Sequence, residues 1–230
     1  MISDFIKKII GQKTDVIASG FSGSFVTMAC HNEKELFNKI MLVNPPSLTQ
    51  LKQMPNRKDR LLKAALEIPI FGTLVYHMIV SRDNINNLFI EKMYYNPFHV
   101  DNQMADAYYE AAHKGGYYTR FLYSSLAAKY ININICHALK ALDNSIYIVE
   151  GETEPNGKAV TDDYCASNPA IEVSVLKETK HLPHVEAPEA FLEQVTHVGI
   201  SFPVQQRKFA GNAAAVSYTH LRAHETDSYL

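Results

Sequence analysis

The chain turns sharply at residues 20–25, Gly-Phe-Ser-Gly-Ser-Phe, between an apolar run that predicts a strand and one that predicts a helix. A serine among small residues on such a turn is typical of a nucleophile elbow, where strained backbone lifts the hydroxyl above the sheet. The usual pattern is G-x-S-x-G, and Ser24 stands in its last position. Ser22 is therefore the candidate nucleophile, and the backbone N–H of Gly23 is the candidate donor to a developing oxyanion.

Composition places the chain among globular proteins. Of its 230 residues, 47% are hydrophobic and 20% charged, and the net charge of -2 gives no basic field for nucleic acid. No apolar run reaches the ~20 residues of a membrane span, and residues 1–10 form an amphipathic helix pattern rather than a signal peptide. Cys30, Cys136 and Cys165 lie far apart, so we expect a reduced, cytoplasmic protein without a metal site.

Short apolar runs separated by helical patterns predict a parallel sheet with crossover helices, which is the α/β class. The predicted strands span residues 14–19, 39–44, 144–150 and 171–176. The predicted helices that flank them span residues 2–10, 23–31, 158–167 and 188–197. Gly11 is the expected stop of the first helix.

A long helical segment interrupts this alternation between the second and third strands. Five helices are predicted there, over residues 58–66, 72–80, 84–94, 100–113 and 119–129, with Asn56, Ser81 and Asp101 as N-caps. An aromatic-rich insertion at this point predicts a lid over the ligand site, because ligands bind at the carboxyl ends of such strands. A separate helical domain is the alternative. The predicted organisation is a core of residues 1–46 and 138–197 with a helical lid of residues 47–137.

The C-terminal segment, residues 198–230, is predicted to lie outside the fold. It has no hydrophobic period, and residues 216–226 resemble a translated sequencing adapter. We therefore expect a non-native or disordered tail, and we assign no metal site to its histidines.

Candidate partners for Ser22 follow the third and fourth strands. A serine hydroxyl needs a general base, and the base needs an acid to orient it. Glu152 and Glu154 come directly after the third strand, and His181 comes after the fourth. This chain order of serine, acid and histidine is the order of a nucleophile-elbow triad.

These motifs together resemble the α/β-hydrolase superfamily, specifically its lid-bearing serine hydrolases and esterases, over about residues 4–195. The last of them, residues 181–191, is similar to the family's G-H-x-P-H-x-E-x-P-E-x-F run. The resemblance implies a nucleophile at Ser22, a general base at His181, an acid at Glu154 and an oxyanion donor at Gly23. It implies no cofactor.

The chain also departs from the family pattern. Lys180 replaces a glycine, glutamate replaces the commoner aspartate, and Glu152 remains an alternative to Glu154 as the acid. Only about a dozen residues precede the elbow strand, where the family has several strands and a second oxyanion donor. We therefore expect a fragment truncated at its N-terminus, with a half-sheet whose edge is exposed and with reduced or no activity of its own.

The sequence thus predicts a carboxylesterase-like serine hydrolase that cleaves an ester, thioester or amide of a small acyl substrate through an acyl-enzyme on Ser22. Two alternatives stay open. One is a non-catalytic binding protein with the same fold, and the other is an acyltransferase that uses the same serine.

Overall fold

The predicted strands form one parallel sheet in the computed structural model, which describes residues 1–100 and 102–200. The strands are β1 Thr14–Ser19, β2 Phe37–Val43, β3 Ser145–Gly151 and β4 Glu172–Leu176. They are hydrogen-bonded in the order β1-β2-β3-β4, and every pairing is parallel. The predicted α/β class and sheet are confirmed.

Burial explains why β2 and β3 occupy the centre of the sheet. Their last four residues are all buried, as expected for parallel strands that are covered on both faces. In β2, Ile40 and Leu42 pack into one apolar cluster, whereas Met41 and Val43 pack into another. This alternation is the two-residue period of a strand, and it places one helical layer on each face of the sheet.

Nine helices of the described residues agree with the predicted pattern to within a few residues, whereas the short helices Leu48–Leu51, Cys136–Ala141 and Pro183–Glu186 were not predicted. In chain order the helices are α1 Ile2–Phe5, α2 Ser22–Asn32, α3 Leu48–Leu51, α4 Arg57–Glu67, α5 Pro69–Ile79, α6 Arg82–Leu88, α7 Asn102–Lys114, α8 Thr119–Ala127, α9 Cys136–Ala141, α10 Gly157–Ser167, α11 Pro183–Glu186 and α12 Pro188–His197. One-turn π-helical segments follow α1 and α6, at Ile6–Ile10 and Phe89–Met93. Gly11, with a φ of 72°, ends the first of these at the predicted stop.

The core extends slightly beyond its predicted C-terminal boundary at residue 197. Ile200 is buried in the same apolar cluster as Phe191 and Val195 of α12, and Val198 packs against that cluster. Lys39 holds the segment after α12 by donating to the carbonyl oxygens of Val198 and Gly199, at 2.7 Å each. The predicted boundary is therefore three residues too early. The rest of the expected tail, residues 201–230, lies outside the described residues, as does the predicted N-cap Asp101.

The segment between β2 and β3 is helical, as its sequence predicts. Asn56 and Asp59 form a reciprocal capping box at the start of α4, and the Ser81 hydroxyl accepts the N–H of Asn84 at the start of α6. Helices α6 and α7 share an apolar cluster with the π-helical segment Phe89–Met93. The ends of the insertion belong to the core, because α3 and Ile135 pack against the sheet.

Among the described residues, no single helix is both long and apolar enough to cross a membrane. Helices α4 and α5 pass on length and composition only when counted as a pair, and the pair is bent by 97° at its break.

Candidate active site

The carboxyl ends of the four strands meet around a cavity of about 440 Å³. Its lining comprises Gly20, Phe21, Asn44, Pro45, Pro46, Ser47, Gln50, Glu150, Glu154, Pro155, Asn156, Gly157, Val160, Thr161 and His181. Each strand therefore delivers the residues that follow it to one place. This is the edge at which open parallel sheets bind their ligands.

His181 and Glu154 are hydrogen-bonded to each other in this cavity. His181 Nδ1 lies 3.0 Å from Glu154 Oε1, and the two side chains are 34% and 19% exposed. A carboxylate beside Nδ1 favours the tautomer in which Nδ1 carries the proton. The other ring nitrogen, Nε2, is then unprotonated and can accept a proton. The other oxygen, Glu154 Oε2, is buried and has no hydrogen-bond partner among the described residues.

The alternative acid, Glu152, is engaged elsewhere. Its Oε2 accepts the backbone N–H of Glu178 at 3.0 Å, in the turn that follows β4. Glu154, two residues further on, is the carboxylate that the structure brings to the histidine. Of the two candidates in the sequence, only Glu154 has the geometry to orient His181.

Ser22 begins α2 beside this cavity, but it does not line it. Its side chain is exposed, and no hydrogen bond between Ser22 and His181 occurs within residues 1–100 and 102–200. The sequence also predicts strained backbone at the serine, and the structure has it at a different residue. The residue of the turn with a positive φ is Gly20, at 55°, and Ser22 is not among the described residues with left-handed backbone.

The Gly23 N–H, the predicted oxyanion donor, is already used inside the turn. It donates to the Gly20 carbonyl oxygen at 3.1 Å, and the next amide, that of Ser24, donates to Phe21 at 3.1 Å. The Gly23 N–H therefore does not point into the cavity as a free donor, and its role at an oxyanion stays a prediction. The cause of this bonding is the tight first turn of α2, whose i to i+3 bonds consume amides that would otherwise lack partners.

Asn44 is a positioning residue that the sequence analysis left without a role. It directly follows β2, has a φ of 41° and is 5% exposed. Its Nδ2 donates to the carbonyl oxygens of Lys180 and His181, at 2.8 and 2.9 Å, while its Oδ1 accepts the N–H of Gly151 at 3.0 Å. One amide thus joins the histidine loop to the end of β3. Its signal in the sequence is an asparagine that closes an apolar strand before two prolines.

Glu150 is a second residue that the sequence analysis missed. It lies near the end of β3, is 6% exposed and lines the cavity. Burial raises the pKa of its carboxyl, a hydrogen bond with Thr161 opposes that effect, and the nearby charge of Glu154 raises the pKa further. The available signal was an acidic residue at the end of an apolar strand.

The helical insertion holds the histidine loop rather than lining the cavity. The His181 N–H donates to Met93 O at 3.1 Å, and Lys180 Nζ donates to Glu91 O at 2.6 Å. The lysine that replaces the family's glycine therefore adds a contact with the insertion. Among the described cavity-lining residues, none comes from α4 to α8.

Glu186 adds a further bridge between the histidine loop and the insertion. Its Oε1 accepts the N–H of Lys180 at 2.8 Å, and its Oε2 accepts the N–H of Tyr95 at 2.6 Å. One carboxylate therefore binds a backbone amide on each side. A charged acceptor makes both of these hydrogen bonds stronger than neutral ones.

Within the described ranges, no three His, Cys, Asp or Glu side chains form a group that could hold a metal ion. The three cysteines are free thiols, and burial raises the pKa of Cys30 to about 11. The polar groups of the cavity are thus amides, hydroxyls, carboxylates and one imidazole.

Solved structures share this fold. A 2-hydroxy-6-oxo-6-phenylhexa-2,4-dienoate hydrolase from Rhodococcus sp. strain RHA1 superposes with a TM-score of 0.61 at 15% identity, over 83% of this chain and 66% of its own. The chain has an α/β-hydrolase fold. The serine hydrolase CarC, involved in carbazole degradation, gives a TM-score of 0.65 at 12% identity, over 85% of this chain and 67% of its own.

A bromoperoxidase from Bacillus anthracis shares the α/β-hydrolase fold as well, with a TM-score of 0.62 at 11% identity, over 85% of this chain and 70% of its own. The chain thus spans about two thirds of the length of these structures. The sequence itself matches no protein-family model and no curated protein.

Proposed function

We propose that this chain is a hydrolase that cleaves an ester, thioester or amide of a small acyl substrate. His181 is the general base, and Glu154 orients its imidazole and stabilises the imidazolium that forms. The observation that carries the proposal is the 3.0 Å contact between His181 Nδ1 and Glu154 Oε1 in the cavity at the carboxyl ends of the strands. Hydrolases among the solved structures with this fold also support it.

The finer form of the proposal is a carboxylesterase-like acyl-enzyme on Ser22. In that mechanism the hydroxyl attacks the acyl carbon while His181 takes its proton, and the imidazolium then protonates the leaving group. In the second half of the reaction, water attacks the acyl-enzyme while His181 takes its proton, and the imidazolium then returns the proton to the Ser22 oxygen. The pattern G-x-S-x of the turn supports Ser22, whereas its exposed position does not.

Hydrolysis of p-nitrophenyl esters tests the base and its acid. Glu154→Gln keeps the shape of the side chain but removes its charge, so we expect kcat to fall about 10²- to 10⁴-fold. His181→Ala should lose at least as much, because it removes the base itself.

Glu152→Gln is the matched control, because Glu152 binds the Glu178 N–H and not the histidine. It should keep the wild-type rate within a small factor. An equal loss in Glu152→Gln and Glu154→Gln would contradict the proposed acid.

A non-catalytic binding protein with the same fold is the second candidate. It is favoured by the exposed Ser22 and by the Gly23 N–H that donates to Gly20 rather than into the cavity. The test compares folded wild type with His181→Ala on a panel of p-nitrophenyl esters. If wild type hydrolyses none of these esters faster than His181→Ala does, the binding protein is favoured.

A further inference from the structure

Gly20 holds the position that a strand-to-helix turn offers to a catalytic side chain. It directly follows β1, and its N–H still donates to Val43 O of β2 at 2.9 Å, as the last hydrogen bond of that pairing. Its φ of 55° marks the place where the chain reverses. The strained residue of an elbow is the one whose side chain points above the sheet, and here that residue is glycine.

The space around the turn agrees with this register. A Cβ added to Gly20 would meet no atom within 4 Å, and Gly20 lines the same cavity as His181 and Glu154. A Cβ added to Gly23 would instead approach Leu42 Cδ2 at 3.1 Å. Position 20 therefore faces open space in the cavity that His181 also lines, whereas position 23 lies against Leu42 of the sheet.

Ser22 lies on neither of these surfaces. It is the first residue of α2 and is exposed, while the cavity is lined by its neighbours Gly20 and Phe21. The small residues at positions 22 and 23 are those that a nucleophile two positions earlier would need after it.

We propose that residue 20 occupies the nucleophile position of this turn and that its glycine leaves the position without a side chain. This inference rests on the proposed function for the base and acid, and it changes the nucleophile. A water molecule beside Gly20 attacks the acyl carbon while His181 Nε2 takes one of its protons. The bond to the leaving group then breaks, the imidazolium returns the proton to that group, and the acid product leaves without an acyl-enzyme.

The test is to place a hydroxyl at position 20 and to look for a covalent adduct. The variants are Gly20→Ser, Gly20→Ala and Gly20→Ser combined with His181→Ala, each treated with a fluorophosphonate probe and weighed by mass spectrometry. Gly20→Ser should gain one label per chain, whereas wild type and Gly20→Ala should gain none. The double variant should not label, because its serine lacks the base. Gly20→Ala carries the same backbone strain and so controls for folding, which circular dichroism checks.

Two results would overturn the inference. One is labelling of wild type that Ser22→Ala abolishes, which would restore Ser22 as the nucleophile. The other is a folded Gly20→Ser that stays unlabelled. Should the serine variant not fold, wild type alone decides: a stoichiometric burst of p-nitrophenol would reveal an acyl-enzyme and refute the inference, and its absence at measurable turnover supports it. Failure of wild type to hydrolyse any ester counts against the proposed function and against the water attack that rests on it. Labelling of Gly20→Ser still tests separately whether residue 20 is the nucleophile position.

Discussion

A buried carboxyl near the end of β3 gives the site a pH dependence of its own. Glu150 has a pKa above its ordinary value of 4.5, chiefly because burial disfavours the charged form. The folded protein therefore binds this proton more tightly than the unfolded chain does. Its contribution to stability is fully present at acidic pH and is lost as the pH rises through the folded value.

A buried, charged Glu150 destabilises the fold at neutral pH, and Glu150→Gln should remove that cost without changing the shape of the side chain. We expect the melting temperature of the variant, relative to wild type, to increase from about pH 4 to about pH 8. Thermal unfolding across that range measures it. Glu172→Gln, an exposed carboxyl on β4, is the control and should show no such trend. A difference that is flat with pH would mean that Glu150 does not titrate as described.

Residue roles were predictable from the sequence to different degrees. His181 and Glu154 follow their strands in the right order, and the structure brings them into contact. The register of the turn could not be predicted in the same way, because small residues occupy nearly every position from Ala18 to Ser24. Which of them faces the cavity depends on where the hydrogen bonds between β1 and β2 end, and that is a long-range property.

At the scale of elements, the end of β3 fits tightly under the histidine loop. A Cβ on Gly151 would fall well inside van der Waals contact of the Lys180 carbonyl oxygen. That oxygen belongs to the backbone, so it cannot move aside as a side chain could.

Gly151→Ala should therefore destabilise the protein by about 1–3 kcal/mol, as overpacked core positions do, and should displace His181. Chemical denaturation measures the first effect, and ester hydrolysis measures the second. The control is Gly115→Ala, whose Cβ would crowd a side-chain methyl of Thr119 at 2.7 Å and would approach the backbone nitrogen of Thr119 no closer than 3.9 Å. Equal losses in both variants would show that the backbone contact has no special weight.

The strands and helices were predictable because apolar period and capping residues act locally. β1 spans the predicted residues, and Asn56 and Ser81 cap the helices that they were expected to cap. The π-helical form of Phe89–Met93 was not predicted, and neither were its contacts with the histidine loop. The carbonyl oxygens of Glu91 and Met93 accept from Lys180 and His181, about ninety residues away. Contacts of that range leave no local pattern in the sequence.

At the scale of the molecule, Glu186 is one of the contacts that hold the insertion against the core. Its carboxylate binds the backbone amides of Lys180 and Tyr95, as described above. Glu186→Gln turns one of its two oxygens into a donor, which then faces an amide donor. The loss of a charged hydrogen bond costs about 1.5–3 kcal/mol, so the insertion should detach more often.

Limited proteolysis followed by mass spectrometry checks this expectation. Glu186→Gln should be cut within residues 82–100 several times faster than wild type. Glu189→Gln, an exposed carboxylate on α12, should be cut at the wild-type rate. Protection that is unchanged in Glu186→Gln would show that other contacts hold the insertion.

The side chain of Asn44 couples two motions that would otherwise be separate. It is hydrogen-bonded to the backbone of the histidine loop and to the backbone at the end of β3, the strand that leads to Glu154. Neither the histidine loop nor the end of β3 can move away without breaking hydrogen bonds to Asn44. We therefore expect the distance between the base and its acid to vary less than the distance from this pair to a bound molecule.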